Sequence, residues 1–200
     1  MTYLSRLPFR ILLTTNFDPW VGDICYPGPF EKMYIYPNIP INQSSNRCLY
    51  YLHGRFCSDD ENPSIRNLVF GKKSFDVAYN ESLLPGFLLN IFVYENILFV
   101  GFNPTESSIE KLLYKSIGIR SAIKASFPGM DKHLGQRYAL WPTLNTETLD
   151  VQQEHTFSEL RSLEVIPIPY EQKGVDCRGL ESLLFSWIVA KSLLDRKDPF

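Results

Sequence analysis

An α/β fold built on a parallel sheet follows from three short apolar runs, each closed by a compact polar motif. They are Arg10-Ile11-Leu12-Leu13-Thr14-Thr15-Asn16-Phe17-Asp18, Cys48-Leu49-Tyr50-Tyr51-Leu52-His53-Gly54 and Ile97-Leu98-Phe99-Val100-Gly101-Phe102-Asn103. Runs of four or five apolar residues that stop at a turn signal suit strands buried on both faces of a sheet. In open α/β sheets, ligands occupy the crevice beyond the carboxyl ends of such strands. All three polar clusters belong there, and together they predict one nucleotide site.

The elements follow in order. Leu7 to Thr15 reads as the first strand. The stretch to Arg47 carries Pro19, Gly22, Pro27, Gly28, Pro29, Pro37 and Pro40 and is expected to be irregular, with one short strand at Met33–Tyr36. Cys48 to Leu52 is the second strand of the pattern. Ser58 to Pro63 reads as an acidic loop, Asn67 to Phe70 as a short strand ended by Gly71, and Ser74 to Tyr79 as one or two helical turns. A helix over Ser82–Tyr94 places Pro85 near its start, where a missing N–H costs little. Asn96 to Val100 is the third strand.

Asn103 as N-cap, Pro104 at N1 and Glu106 at N3 predict a helix start. Ile109, Leu112, Leu113 and Ile117 continue it with one apolar face, and Gly118 is a candidate stop. Arg137 to Trp141 reads as a strand stopped by Pro142. Thr156 to Glu164 is a short helix after a polar loop. Val165-Ile166-Pro167-Ile168-Pro169 looks extended, and its two prolines assign it to a sheet edge. The last helix is predicted over Asp176–Asp195, with Leu180, Leu183, Leu184, Trp187, Ile188 and Leu194 as its buried stripe.

Bulk properties narrow the function classes. The chain has 200 residues, 44% hydrophobic and 21% charged, with 14 Phe and 11 Tyr. That is a globular composition with an aromatic-rich core, and the length suits one large domain or two small ones. The formal charge is −2 with dispersed Lys and Arg, which disfavours binding driven by phosphate neutralisation along a nucleic acid. Cys25, Cys48, Cys57 and Cys177 lack zinc-ribbon spacing and are expected to be reduced. The most apolar region, Leu83–Phe102, is broken by Pro85, Gly86, Asn90, Glu95 and Asn96, so no membrane span is expected. A cytoplasmic protein is the default reading.

The same motifs resemble the sirtuin-like (SIR2-like) family, in its divergent bacterial branch associated with antiphage, or antiviral, defence. Thr14-Thr15-Asn16-Phe17-Asp18 is similar to the family's TTN-[YF]-D, Leu52-His53-Gly54 to its L-H-G, and Phe99-Val100-Gly101-Phe102-Asn103 to its F-[IV]-G-[YF]-[SN]. Phe70 to Tyr79 resembles its F-G-x-x-x-[FY]-x-x-x-Y segment. Tyr138–Pro142 and Val165–Tyr170 are similar to later strands, so the order agrees over residues 7 to 190. The resemblance implies a doubly wound, Rossmann-like, mostly parallel sheet that binds NAD+ and can hydrolyse its nicotinamide–ribose bond as an NADase.

By the same resemblance, Asn16 would position a water or ribose hydroxyl and His53 would be the general base. Thr14, Thr15 and Asp18 would line the ribose and nicotinamide end. Gly54, Gly101, Phe102 and Asn103 would complete the nucleotide contacts. The residue types suit the chemistry. Glycosidic cleavage passes through an oxocarbenium-like state, an ordinary imidazole titrates near neutral pH, and an amide both donates and accepts without charge.

Two departures from the family pattern qualify this. No glycine-rich phosphate turn precedes Asn16, which reads as truncation at the N-terminus. A zinc module of four cysteines is also missing, so neither zinc nor protein deacylation is expected. Each residue also has a plainer reading: His53 as a satisfied strand-end histidine, Asn16 and Asp18 as turn formers, Asn103 as a helix cap. His133 and His155 are expected to be solvated, Lys72 and Lys73 to form a solvated turn, and Asp59, Asp60 and Glu61 a solvated acidic loop. Two functions therefore compete, an NAD+ hydrolase and a catalytically inactive nucleotide-binding or interaction module. The second anticipates a homo-oligomer or a partner chain.

Overall fold

Among the described residues, six parallel strands fall into two three-stranded sheets, each in its own compact unit of the chain. The computed structural model describes residues 3, 6–26, 28–40, 47–56, 68–101, 106–143, 150–172 and 178–195. One unit comprises residues 1–87 and 184–200, the other residues 88–183. This is the expected α/β, Rossmann-like class, with the strands of the pattern divided between two sheets rather than aligned in one.

In the first unit, β1 (Ile11–Thr14), β2 (Lys32–Ile35) and β3 (Cys48–Tyr51) have the order β1-β3-β2. β3 is central and all four of its residues are buried, which explains an apolar run without alternation. One face carries Leu49 and Tyr51 against Val21, Cys25 and Phe30, with Leu12, Met33 and Ile35 packed around them. The other carries Tyr50, whose ring lies between Tyr34 at 5.0 Å and Phe87 at 4.9 Å. Helix α1 (Trp20–Cys25) follows the first strand, and α2 (Lys72–Asp76) runs directly into a π-helical turn, Val77–Glu81. Leu68–Phe70, expected as a strand, joins no ladder; Val69 only donates to the His53 carbonyl at 2.9 Å. Cys25 and Cys48 are both buried.

Helix α3 (Leu84–Tyr94) carries the chain into the second unit. There β4 (Ile97–Val100), β5 (Arg137–Thr143) and β6 (Val165–Glu171) have the order β4-β5-β6. β6 is an edge strand, as Pro167 and Pro169 required. Pro142 does not stop β5. β4 ends its pairing at Leu140, so from Trp141 onward β5 pairs only with β6 and needs no donor on the other side.

Helix α4 spans Ser107–Ser126. Asn103 and Pro104 lie outside the described residues, and Glu106, expected at N3, stands at the N-cap without a side-chain cap bond. Gly118 does not end the helix. Its buried face continues beyond Ile109, Leu112 and Leu113 through Ser116 to Arg120, whose hydrogen bonds outweigh the roughly 1 kcal/mol penalty of one interior glycine.

Helix α5 is Val151–Ser162, starting earlier than expected. Asp150 accepts from the Gln153 N–H at 2.8 Å while the Gln153 side chain accepts from the Asp150 N–H at 3.2 Å, a reciprocal capping box. Helix α6 is Arg178–Asp195, with Leu184 buried and Leu180, Leu183, Trp187 and Ile188 half-buried.

Arginines organise this second unit. Arg137 is 1% exposed. It donates to the Phe92 carbonyl from Nε (3.1 Å) and Nη2 (2.9 Å), to the Leu163 carbonyl from Nη1 (2.9 Å), and to Ser116 Oγ from Nη2 (2.7 Å). Arg120 donates to the Val93 and Gly135 carbonyls at 3.0 and 2.7 Å and pairs with Glu164 at 2.8 Å. The last carbonyls of α3 and the carbonyl that follows α5 are thus satisfied by two guanidinium groups. Helix carboxyl ends want such partners and favour positive charge.

Candidate functional site

β1 and β3 pair in parallel with Thr14 opposite Tyr51, so their polar motifs leave the sheet at the same end. The pairing is extended by one bond, from the Leu52 N–H to the Thr14 carbonyl at 2.9 Å, and the two loops meet again where Phe56 N–H donates to the Phe17 carbonyl at 2.7 Å. Asn16 and His53 each lie two residues beyond the Thr14–Tyr51 pair. Thr14, Thr15, Asn16, Asp18, His53 and Gly54 are therefore brought together at one end of this sheet.

The first motif is a braced turn. Thr14 Oγ1 accepts from the Asn16 N–H and Asp18 Oδ1 from the Trp20 N–H, both at 3.1 Å. These two side chains act as turn formers. Thr15 and Asn16 are exposed. Tyr51, which the sequence reading treated only as strand, ties the turn down: its hydroxyl donates to the Asp18 carbonyl at 3.1 Å and accepts from the Gly22 N–H at 2.8 Å. A Cβ on Gly22 would stand 3.1 Å from that hydroxyl, so a larger residue would have to push it aside by a few tenths of an ångström. Arg55 lies over the Tyr51 ring at 5.6 Å and pairs with Asp23 at 3.0 Å.

His53 is not an open strand-end histidine. It is 4% exposed, and its Nε2 lies 2.8 Å from the hydroxyl of Tyr79. Phe75 and Tyr79 meet the imidazole edge-on at 5.0 and 5.8 Å, and Phe17 is tilted against it at 6.4 Å. Burial pushes its pKa from 6.5 down to about 4, because desolvation penalises the cation. The near-neutral titration expected from the free side chain therefore does not apply.

The cage explains the spacing of the Phe70–Tyr79 segment. Phe75 and Tyr79 are four residues apart and stack at 5.8 Å and 8° across the passage from α2 into the π-helical turn. Such single π turns recur at functional sites. Their i, i+4 spacing was visible in the sequence; that the pair closes on His53 was not. Gly71 opens α2 with φ +82° and ψ 163°, a backbone region essentially closed to other residues. A Cβ there meets nothing within 4 Å. Gly71→Ala is thus expected to lose about 1–3 kcal/mol from backbone strain alone. Chemical denaturation checks this, and an unchanged midpoint would count against a strained turn.

The third motif belongs to the other sheet. Gly101 follows β4 with φ +65°, while Phe102 and Asn103 lie outside the described residues, as do Cys57, Asp59, Asp60, Glu61 and Cys177. Lys72, Lys73, His133 and His155 are exposed, and His155 lies 3.3 Å from Glu159 on α5. Among the described residues, no three His, Cys, Asp or Glu side chains cluster as metal ligands, and no helix is long and apolar enough to cross a membrane.

No curated protein matches the chain. A model of the SIR2-like domain matches residues 10–166, a span that includes all three motifs, strands β1 to β5 and the His53 cage. With parallel strands ending in these motifs, the chain belongs to the SIR2-like family of nucleotide-binding domains.

Proposed function

We propose that this chain is an NAD+ hydrolase whose one domain, residues 1–200, cleaves the nicotinamide–ribose bond through Asn16 and His53. The observation that carries the reading is the register of β1 and β3, which sets an exposed amide and an imidazole at equivalent levels of one strand end. Water adds to the anomeric carbon as nicotinamide leaves with the bonding electron pair. Asn16 orients the water, and neutral His53 accepts its proton as charge develops. Thr15 and the Gly54 backbone, at φ +89°, provide room and polar contacts for the ribose. Thr14 and Asp18 hold the turn that presents Asn16. Gly101, Phe102 and Asn103 are proposed contacts to the rest of the dinucleotide, and a role in antiphage defence accords with such an activity.

Nicotinamide release from NAD+ tests the proposal. His53→Ala and Asn16→Ala are each expected to reduce turnover by about 100-fold or more. With the imidazole already neutral far below pH 6.5, the wild-type rate should stay flat from about pH 8 to 5.5. Equal background rates in wild type and His53→Ala would sink the hydrolase reading.

The burial of His53 favours a second reading, in which the imidazole is purely structural and the chain binds a nucleotide or a partner chain without turnover. Saturable NAD+ binding with no nicotinamide release distinguishes this case.

A further inference from the structure

We propose that Tyr79 is the positioning residue of this site: its hydroxyl oxygen accepts the Nε2–H of His53 and so leaves Nδ1 as the nitrogen that takes up the proton. The inference rests on His53 being the base. A neutral imidazole carries one proton, and a base needs its other nitrogen bare and held in a fixed direction. The nitrogen 2.8 Å from Tyr79 is Nε2, and among the described residues no hydrogen bond reaches Nδ1.

The surroundings fix the tyrosine in turn. Tyr79 is held parallel to Phe75 at 5.8 Å, and Phe75 meets the imidazole edge-on at 5.0 Å. Phe17, next to Asn16, meets the ring from the strand-end loop at 6.4 Å. Flipping the ring would replace Nε2 by Cε1 beside the phenol and lose this hydrogen bond. When His53 gains a proton, the phenol oxygen also receives a hydrogen bond from a cation, which is stronger than one from the neutral ring. Tyr79 thereby favours the protonated state reached during turnover without adding a charge to the resting site.

Nitrogen NMR of the full-length protein labelled on histidine reads the tautomer independently of activity. The wild-type ring of His53 is expected to be protonated at Nε2 alone near neutral pH. In Tyr79→Phe, which keeps the stacked ring, the form protonated at Nδ1 should appear. The same variant should lower kcat for nicotinamide release about tenfold, with KM nearly unchanged, as for loss of one hydrogen bond to a group that becomes charged.

A wild-type ring protonated at Nδ1 overturns the proposal. So does a Tyr79→Phe protein with the tautomer and kcat of wild type. Absence of nicotinamide release from wild type instead defeats the hydrolase reading, and the wild-type tautomer then still decides the role of Tyr79.

Discussion

Replacing Arg137 with methionine is expected to cost about 3–5 kcal/mol. The guanidinium is 1% exposed and makes four hydrogen bonds to Phe92, Leu163 and Ser116. Methionine fills most of the volume but removes every donor. Two buried carbonyls and a hydroxyl then lose this partner, each worth about 1–3 kcal/mol if left unsatisfied.

Burial and the neighbouring Arg120 cation lower the Arg137 pKa to about 10, with Glu164 opposing the shift. The group therefore stays charged at neutral pH, held chiefly by carbonyl dipoles. Arg137→Lys should recover only part of the loss, because an ammonium cannot reproduce the planar fork that reaches both helix ends. Denaturant titrations of the three proteins check the order wild type, lysine, methionine. A methionine variant within 1 kcal/mol of wild type would mean that water replaces the arginine at little cost.

Acidification should destabilise the protein through His53 by as much as about 3 kcal/mol. The folded pKa of about 4 lies below the ordinary 6.5, so the unfolded chain binds a proton that the folded chain refuses. The contribution is full above pH 6.5 and is lost as pH falls towards 4. Carboxylates titrate in part of this range, so the measurement is a difference: unfolding free energies of wild type and His53→Gln at several pH values. The wild type should lose more stability between pH 6.5 and 4.5. Parallel curves would show that the imidazole is hydrated in the folded state. The same burial keeps the ring neutral at cellular pH, which a proton acceptor requires.

How much of the site was legible depended on the type of signal. The Thr14–Asp18 and His53–Gly54 motifs announced strand ends because they follow uninterrupted apolar runs, and β1 and β3 do pair in parallel. The proline pattern placed β6 at an edge correctly. Local signals failed where distant residues intervened. Gly118 looked like a stop, yet α4 continues because Arg120, one turn from Ser116, is anchored on carbonyls far along the chain. Pro142 looked like a strand end, yet the shorter β4 leaves it no ladder to break. The α5 capping box, Asp150 with Gln153, is a local signal that starts the helix five residues before Thr156.

Periodicity and turn chemistry are local, and they were enough to specify an α/β chain of parallel strands with polar groups at the strand ends. They carry no information on which side chains lose their water. The conversion of His53 from an ordinary imidazole to a neutral one, and of Arg137 from a strand's first residue to the anchor of two helix ends, arose from burial among groups 21 to 45 residues away along the chain. Desolvation is a property of the packed environment, and it belongs to no residue until the chain has folded.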